Sequence, residues 1–337
     1  GPSASQRTRR FPLVVSARHF LAIAGGVGGA KLVAGLQQVT HARGDELTAV
    51  INTGDDFEHL GLHIAPDLDS VTYALADLND RERGWGLRDE TWQFKRALER
   101  LGGETWFSLG DQDLATHIER TRLLNGGHSL SEATAHLTTA LGIPTRVAPM
   151  SDQPVRTFVQ TDAGRLAFQH YFVREQCSPR VVSFDFAGAG QAQPSMALTE
   201  TLAAPELAAI VICPSNPFIS VDPMLAIPGV RAAIRSAPVP VVAVSPIVGG
   251  QAIKGPAAKM LSELGLAVSA KGIAEHYGDL IDGFVLDTCD AALADDIHTA
   301  TLTTQTMMHN TDDQAALANA TLEWCAELAY ANPIRSA

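Results

Sequence analysis

The chain has 337 residues, which is enough for two domains of ordinary size or for one α/β domain with an insertion. Hydrophobic residues make up 46% of the chain and charged residues 18%. The charged share lies below the roughly 25% of an average soluble domain, and this composition excludes a disordered chain and a coiled coil. The formal net charge of -12 at pH 7 opposes binding to nucleic acid or to an anionic membrane surface. A polyphosphate ligand therefore needs local hydrogen-bond donors or a metal ion.

Cysteine usage and hydropathy bear on the compartment. The four cysteines stand far apart, without zinc-ligand spacing: Cys177, Cys213, Cys289 and Cys325. This usage is typical of a reducing compartment. No apolar run approaches the roughly 20 residues of a spanning helix, since the most apolar stretch, 237–248, contains three prolines. We therefore expect a cytoplasmic protein without membrane contact, and we interpret residues 1–18 as a tag-cleavage scar with a flexible N-terminus.

Short apolar runs, each followed by a turn rich in glycine, proline, aspartate or asparagine, recur along the chain. The predicted strands cover residues 20–24, 47–51, 209–213, 239–244 and 284–286. An amphipathic helix is predicted after the first of them, over 30–39, and another over 70–76. This alternation indicates an α/β fold with a parallel sheet.

Between the second and third predicted strands, β-rich runs flank Asp162-Ala-Gly164 and predict a hairpin. The predicted fold class is therefore a Rossmann-like parallel sheet with a smaller inserted α+β domain. We place the nucleotide and metal half at 19–150, the β-rich insertion at 151–195, and the second part of the Rossmann-like domain with C-terminal helices at 196–337. The loops after parallel strands meet at one edge of the sheet, so the site should be composite.

Gly25-Gly-Val-Gly-Gly-Ala-Lys31 stands where the first strand meets its helix. Glycines at this position let backbone N–H groups approach an anion, and the helix N-terminus adds its positive end. The segment lacks the Gly-Lys-[Ser/Thr] ending of a Walker A loop, and Lys31 stands where a dinucleotide fingerprint needs its third glycine. It is thus a candidate phosphate loop, and a tight turn that packs helix on strand is the alternative.

Acidic residues follow the second strand in two groups, Asn52-Thr-Gly-Asp-Asp56 with Glu58, and Pro66-Asp-Leu-Asp69. Oxygen-rich clusters suit Mg²⁺, which usually takes one or two carboxylates and keeps its other positions for water and phosphates. Turn formation by Asp55 or Asp56 and helix capping by Asp69 are the alternatives.

Asp113 and His117 are four residues apart at the start of a predicted helix, so they share a face and could orient one another. A satisfied surface or core histidine is the alternative for His117. Arg83-Gly-Trp-Gly-Leu-Arg88 and Glu90-Thr-Trp92 combine aromatic rings with guanidinium groups that could stack on a planar ring or hold an anion. A plain core position is an equally good interpretation of Trp92.

Eight motifs follow one another along the chain: Gly25-Gly-Val-Gly-Gly-Ala-Lys31, Asn52-Thr-Gly-Asp-Asp56, Pro66-Asp-Leu-Asp69, Arg83-Gly-Trp-Gly86, Leu109-Gly-Asp-Gln-Asp-Leu-Ala-Thr-His117, Met150-Ser-Asp152, Pro214-Ser-Asn-Pro217 and Ser245-Pro-Ile247. Together they resemble the CofD/FbiA family, the 2-phospho-L-lactate transferases of deazaflavin coenzyme F-420 biosynthesis. The resemblance implies a homodimer and a Mg²⁺-dependent reaction. In it the terminal ribityl hydroxyl of the deazaflavin Fo attacks a GDP-activated three-carbon acid, and GMP leaves.

The resemblance also implies roles for individual residues. Asp55 and Asp69 would be the catalytic residues and the metal ligands. The residues implied for Fo and the donor acid are Asp56, Asp69, Arg88, Ser108, Asp111, Gln112, Asp113 and His117. Those implied for the nucleotide and its phosphates are Gly25, Gly26, Val27, Gly28, Gly29, Lys31, Ser215, Asn216 and Pro217.

Gln112 departs from the family pattern, which usually has arginine there. A neutral amide cannot replace a bidentate cationic donor, so phospholactate, phosphoenolpyruvate and 3-phosphoglycerate all stay open as the transferred acid. A rival from another class is a nucleotide-sugar-binding regulator of the related gluconeogenesis-factor family, and Pro66-Asp-Leu-Asp69 favours the transferase. A nicotinamide oxidoreductase is disfavoured by the broken fingerprint.

Overall fold

The structure is a computed structural model that describes residue 11 and residues 17–332. The predicted tag scar and flexible N-terminus, apart from Phe11, Ala17 and Arg18, lie outside the described residues. The strands are β1 (His19–Ala24), β2 (Glu46–Ile51), β3 (Phe57–His59), β4 (Leu62–Ile64), β5 (Arg146–Pro149), β6 (Arg156–Thr161), β7 (Gly164–Ala167), β8 (Val181–Ala187), β9 (Leu207–Ile212), β10 (Val241–Val244), β11 (Ile247–Val248), β12 (Gln251–Ala252), β13 (Gly283–Asp287) and β14 (Ala300–Thr304). The α-helices are α1 (Gly26–Arg43), α2 (Pro66–Leu75), α3 (Gln93–Arg100), α4 (Asp111–Asn125), α5 (Leu130–Ala140), α6 (Met196–Ala203), α7 (Asp222–Leu225), α8 (Val230–Ser236), α9 (Ala257–Glu263), α10 (Ala270–Tyr277) and α11 (Thr311–Ala331).

The main sheet has seven strands in the order β14-β13-β10-β9-β1-β2-β5, and all neighbours are parallel. From β1 the chain runs outward through β2 to β5, then returns to β9 on the other side of β1 and runs outward to β14. The strand order therefore reverses between β1 and β9. In a doubly wound sheet this reversal opens the ligand crevice, and the predicted α/β class is confirmed.

The central strands are buried on both faces, which explains their nearly continuous apolar sequence. In β1, Phe20 and Ala22 point into one hydrophobic core, whereas Leu21 and Ile23 point into the other. Helices α1, α2, α5 and α11 contribute side chains to the first core. Helices α6 to α10 contribute to the second. The sheet is thus the middle layer between two sets of helices.

A second, antiparallel sheet has the order β7-β6-β8 and lies between residues 156 and 187. The hairpin predicted around Asp162-Ala-Gly164 is confirmed as β6 and β7. Val159, Tyr171 and Val181 from this region are buried in the second core. The inserted unit therefore packs on the main sheet and shares a core with it.

Several predicted boundaries need correction. Helix α1 begins at Gly26, so the glycines form its first turn instead of preceding the helix. Helix α2 begins at Pro66, and Ala65 occupies its N-cap, so Asp69 lies inside the first turns and does not cap the helix. Proline is favoured at the first helical position, where its missing N–H has no intrahelical role. The edge strands β5 and β14 were not predicted, because their sequences contain too few apolar residues in a strand pattern.

The structure also bears on the expectations about membrane contact and cysteines. Within residues 17–332, no single helix has the length and hydropathy of a membrane span. Two segments bent by 92°, Pro217–Leu225 and Val230–Ser236, pass that test by length and composition when they are taken together. All four cysteines are free thiols.

Helix α1 packs so closely on α11 that position 35 has no space for a side chain. A Cβ on Gly35 would overlap the backbone carbonyl of Gln314. Alanine gains about 1 kcal/mol over glycine in a helix interior, but overlap with a backbone carbonyl that cannot move aside costs about 2–3 kcal/mol, the upper part of the range for overpacking. We expect Gly35→Ala to lower the free energy of unfolding by about 1–2 kcal/mol in urea denaturation. Gln38→Ala, on the exposed side of the same helix, is the control. A Gly35→Ala protein as stable as its parent would contradict this packing.

Candidate functional site

The loops that follow β1 and β9 touch each other at the switch point of the sheet. The Gly25 N–H donates to the Ser215 hydroxyl over 3.1 Å. A Cβ on Gly28 would lie 2.7 Å from the Pro214 carbonyl oxygen, and one on Gly29 would lie 2.8 Å from the Ser215 hydroxyl. The glycines are thus needed because another backbone passes directly against them. The crevice predicted from the strand order is lined by the two predicted nucleotide motifs.

The first turn of α1 carries no acidic residue, and Gly25 at its N-cap has no side chain to cap it. Backbone N–H groups of this turn therefore lack intrahelical partners and point toward the crevice. One of them, that of Gly26, hydrogen-bonds the Asp67 carboxylate and lowers its pKa in part. The turn thus binds a carboxylate of the protein itself at Gly26, and the role of its other N–H groups toward a phosphate stays a prediction.

Asp55 and Asp67 lie side by side at the mouth of the crevice, joined by Asn52. The Asn52 amide donates to Asp55 Oδ1 over 3.1 Å and to Asp67 Oδ2 over 2.9 Å. Both carboxylates are buried. Burial, followed by the charge of Asp67, raises the pKa of Asp55 well above its usual value. Burial likewise raises the pKa of Asp67 to about 6.

Asp69 lies next to this pair but has a positive partner. Arg120, itself buried, donates to Asp69 Oδ1. His117 Nδ1 lies 3.5 Å from Asp69 Oδ2, and His117 Nε2 lies 3.0 Å from Asp113 Oδ2. Burial raises the pKa of Asp69, and the nearby Arg120 opposes that shift. The predicted contact of Asp113 with His117 along one helix face is confirmed, and together they brace the Asp69–Arg120 pair.

The oxygen atoms of this cluster fit a hard cation such as Mg²⁺. Asp69 Oδ2 and Asp56 Oδ1 are buried acceptors without a hydrogen-bond partner. Buried acceptors are rarely left unpaired unless a ligand satisfies them. Asp69, Asp113 and His117 also lie close enough to form a metal group of their own. Arg120 places a positive charge directly on that group, which disfavours a cation there.

Aromatic rings continue from the acidic cluster. Asp56 accepts from His63 across the β3–β4 hairpin over 3.0 Å, and Phe57 follows it directly. The Phe57 ring lies 5.9 Å from Trp106, which lies 5.1 Å from His170. These three rings are partly exposed and form a surface on which a planar ring could stack.

Other predicted site residues make their contacts around residues 77–111 instead of in the cluster. Arg88 binds Asp77, and Ser108 accepts from Lys95. The Asp111 carboxylate accepts the Phe94 N–H at the start of α3. Gln112 is exposed and donates to the Asp89 carbonyl over 3.0 Å. Their roles toward a substrate stay predictions.

Three residues of the predicted nucleotide set have structural roles, and one predicted acid lies apart from the cluster. Asn216 accepts from the Phe218 N–H over 3.0 Å and so shapes its own turn, and Pro217 begins the helical turn Pro217–Val221. Lys31 donates to the Met308 carbonyl over 3.3 Å. Glu58 is exposed on β3 and outside the buried cluster.

Sequence reasoning missed two residues that organise the cluster. Asn52 was noted only as part of an acidic turn, although its amide joins two carboxylates. Arg120 was not singled out at all. It lies three residues after His117 on α4, so the helical period could have placed it on the same face. Its partner Asp69 lies 51 positions earlier, and nothing local reveals that pairing.

The fold and its crevice define a doubly wound α/β protein with a glycine-rich helix start and a carboxylate cluster at the switch point. The family model described as 2-phospho-L-lactate transferase CofD matches residues 20–325. The chain belongs to this family. The predicted resemblance and the expectation of an enzyme of this transferase type are both confirmed.

Relatives with curated names are similar over most of their length. A phosphoenolpyruvate transferase of Streptomyces griseus is 41% identical over 315 residues, which cover 91% of this chain and 98% of the relative. A 2-phospho-L-lactate transferase of Methanosarcina acetivorans is 39% identical over 270 residues, covering 80% and 86%. A crystal structure of a UPF0052 family protein from Bacillus halodurans superposes with a TM-score of 0.60 at 15% identity, covering 91% of this chain and 99% of that one. This last likeness concerns the fold alone.

The buried carboxylates should make the cation-free protein less stable at high pH. Because the pKa of Asp67 is raised to about 6 in the folded state, the folded protein holds this proton longer than the unfolded chain does. Stability therefore falls as the pH rises from about 4 to about 6, by about 3 kcal/mol, and then levels off. We expect Asp67→Asn to be more stable than its parent at pH 8 in chelator, with little difference at pH 4.5, in urea denaturation.

Exposed Asp295 provides the control, since Asp295→Asn removes the same charge without relieving burial. Mg²⁺ at pH 8 should raise the stability of the parent more than that of Asp67→Asn, because the cation replaces the missing countercharge. An Asp67→Asn protein less stable than its parent at both pH values would contradict the assignment of Asp67 as a destabilising buried charge.

Proposed function

We propose that the protein transfers a phospho-three-carbon-acid group from its GDP-activated diphosphate donor to the ribityl hydroxyl of the deazaflavin Fo, releasing GMP, in coenzyme F-420 biosynthesis. One observation carries the proposal. Gly25 contacts the Ser215 hydroxyl on one side and would, with a Cβ, lie 2.6 Å from Asp67 Oδ2 on another. The anion-binding turn, the nucleotide motif and the acidic cluster therefore meet at one residue.

On the donor side, the N–H groups of Val27 and Gly28 in the first turn of α1 would bind the diphosphate, because they have no intrahelical partner and carry the positive end of the helix. The Gly25 and Gly26 N–H groups, by contrast, already bind Ser215 and Asp67. The turn containing Ser215 would contact the guanosine part. Family relatives are named for phosphoenolpyruvate and for 2-phospho-L-lactate, so both acids, together with 3-phosphoglycerate, belong to the proposal.

On the acceptor side, Asp69 is the proposed base. Its raised pKa brings the carboxylate closer to the range in which a base accepts a proton efficiently at neutral pH, and Arg120 fixes its orientation. The Fo hydroxyl oxygen forms a bond to the phosphorus that bears the acid, and its proton passes to Asp69. The bond from that phosphorus to the bridging oxygen breaks, and GMP leaves with that oxygen. The aromatic surface of Phe57, Trp106 and His170 would receive the deazaflavin ring.

Asp55 and Asp67 would hold Mg²⁺, with Asp69 as the alternative second ligand to Asp55. The ion would neutralise the diphosphate charge that a protein with a net charge of -12 cannot neutralise by itself. A homodimer and a cytoplasmic location are further parts of the proposal, and both come from the family. The competing proposal, a regulator that binds nucleotide sugars, requires neither a base nor an acceptor pocket.

The direct test combines the purified protein with Fo, Mg²⁺ and equal concentrations of the three GDP-activated acids. Mass spectrometry of the deazaflavin product identifies the preferred acid, and GMP release measures turnover. We expect turnover with at least one acid, and we expect exhaustive chelation to abolish it. Fo fluorescence reports acceptor binding independently. Without Fo binding or turnover of any donor, the regulator becomes the better proposal, whereas full turnover in chelator would exclude the metal.

Asp69→Asn is expected to reduce turnover more than tenfold while leaving GDP affinity within a few-fold, because Asp69 lies on the acceptor side. The substitution also leaves Arg120 buried without its carboxylate, which destabilises the fold. The double variant Asp69→Asn with Arg120→Met removes that uncompensated charge. If the double variant regains stability but not turnover, the turnover is lost because the base is missing and not because the fold is destabilised. Recovery of turnover in the double variant would instead assign Asp69 to the fold alone.

A further inference from the structure

A small cavity lies beside the glycine turn, on the side of α1 away from Ser215. Its volume is about 60 Å³, and its lining includes Lys31, Tyr73, Asp80, Arg81, Gly84 and His309. A cavity of this size holds a few waters or a single phosphate or carboxylate group, but not a purine or a deazaflavin ring. The cavity is therefore large enough for one anionic group of a larger ligand.

A segment from the other half of the sheet contacts the loop that lines this cavity. We call residues 247–256 the strap; it comprises β11, β12 and the turns beside them. Gly249, Gly250 and Gly255 all have positive φ, so the strap follows a path that other residues rarely adopt. The Gly249 N–H donates to Asp290 at 3.1 Å and holds one end. At the other end, Lys254 Nζ donates to the Gly84 carbonyl over 3.1 Å.

Lys254 of the strap can approach residue 84 closely because this residue is a glycine. Its φ is +81°, and a Cβ there would overlap the Lys254 ammonium. This contact gives the Arg83-Gly-Trp-Gly86 motif a structural role that the sequence did not reveal. Arg83 lies over the Trp85 ring at 4.5 Å, so this arginine is occupied within its own loop.

Lys31 and Lys254 have only backbone carbonyls as hydrogen-bond acceptors within residues 17–332, and neither forms an ion pair there. Lys95 also lacks a carboxylate partner, since it donates to the Ser108 hydroxyl. What distinguishes Lys31 and Lys254 is their position, because one lines the cavity and the other contacts Gly84 in the same lining. Burial, and then the charge of Lys31, lowers the pKa of Lys254. Two nearby ammonium groups repel each other, and an anion between them would reverse this cost.

We propose that Lys254 is a further donor-binding residue, which the strap brings beside Lys31 so that the two lysines hold an anionic group of the donor next to the glycine turn. The inference rests on the proposed function, since that function supplies the donor. The anionic group is either the diphosphate or the carboxylate of the three-carbon acid. On binding, the Lys254 ammonium exchanges the Gly84 carbonyl for the anion, and the strap closes the donor side.

The test compares Lys254→Gln with its parent in Mg²⁺, by calorimetric binding of GDP and inorganic pyrophosphate and by steady-state kinetics with the donor. If the lysines hold the diphosphate, affinity for GDP and pyrophosphate falls at least tenfold. If they hold the carboxylate, GDP affinity changes less than twofold while KM for the donor rises at least tenfold. Lys254→Arg should retain most of the parent's affinity. GDP affinity and donor KM both within twofold of the parent would overturn the inference.

Lys271→Gln is the matched control, because it removes the same charge from α10, where Lys271 lies 3.7 Å from Glu275. Melting temperatures of all variants establish that they fold. If the parent turns over no donor, the proposed function fails, and pyrophosphate titration still decides the inference. Binding that depends on Lys254 would then support it. Equal binding by parent and variant, or no binding by either, would overturn it, because the carboxylate outcome requires a donor that the protein turns over.

Discussion

Four buried aspartates at the carboxyl edge of the sheet, with too little positive charge among them, are the constraint on which the site depends. Asp55 and Asp56 follow β2, and Asp67 and Asp69 open α2. Within residues 17–332, Arg120 is the one guanidinium that pairs with them. Taking carboxylates out of water costs several kcal/mol each unless a partner compensates. The fold tolerates this charge because its two cores bind the surrounding elements firmly, and under the proposed function a bound cation would supply the missing positive charge.

The rest of the architecture serves to bring separate loops to that edge. Parallel strands end on the same side, and the reversal of strand order between β1 and β9 leaves a gap there. Glycines at 25, 28 and 29 then allow three chain segments to approach within contact distance. A side chain at any of these positions would push the glycine turn away from the carboxylates or from Ser215. Close backbone packing is thus what makes the site composite.

Charge is divided across the start of α1. The carboxylates lie on one side, at Gly25, while Lys31 lines the cavity on the other side and Lys254 contacts Gly84 of the same lining. This division suits the proposed reaction, in which the donor is anionic and the acceptor hydroxyl loses a proton.

The sequence by itself determined the α/β class, the central strands, the hairpin at Asp162-Ala-Gly164 and the family. Alternation of apolar runs with turns is a local pattern, and eight motifs in order are readable without coordinates. The tertiary structure decided what those motifs touch. It joined Asn52 to Asp67, Asp69 to Arg120 and Gly84 to Lys254, the last two pairs being 51 and 170 positions apart. Such pairings leave no periodic signal, because they depend on which strand ends meet at the crevice and not on the neighbours of each residue in the chain.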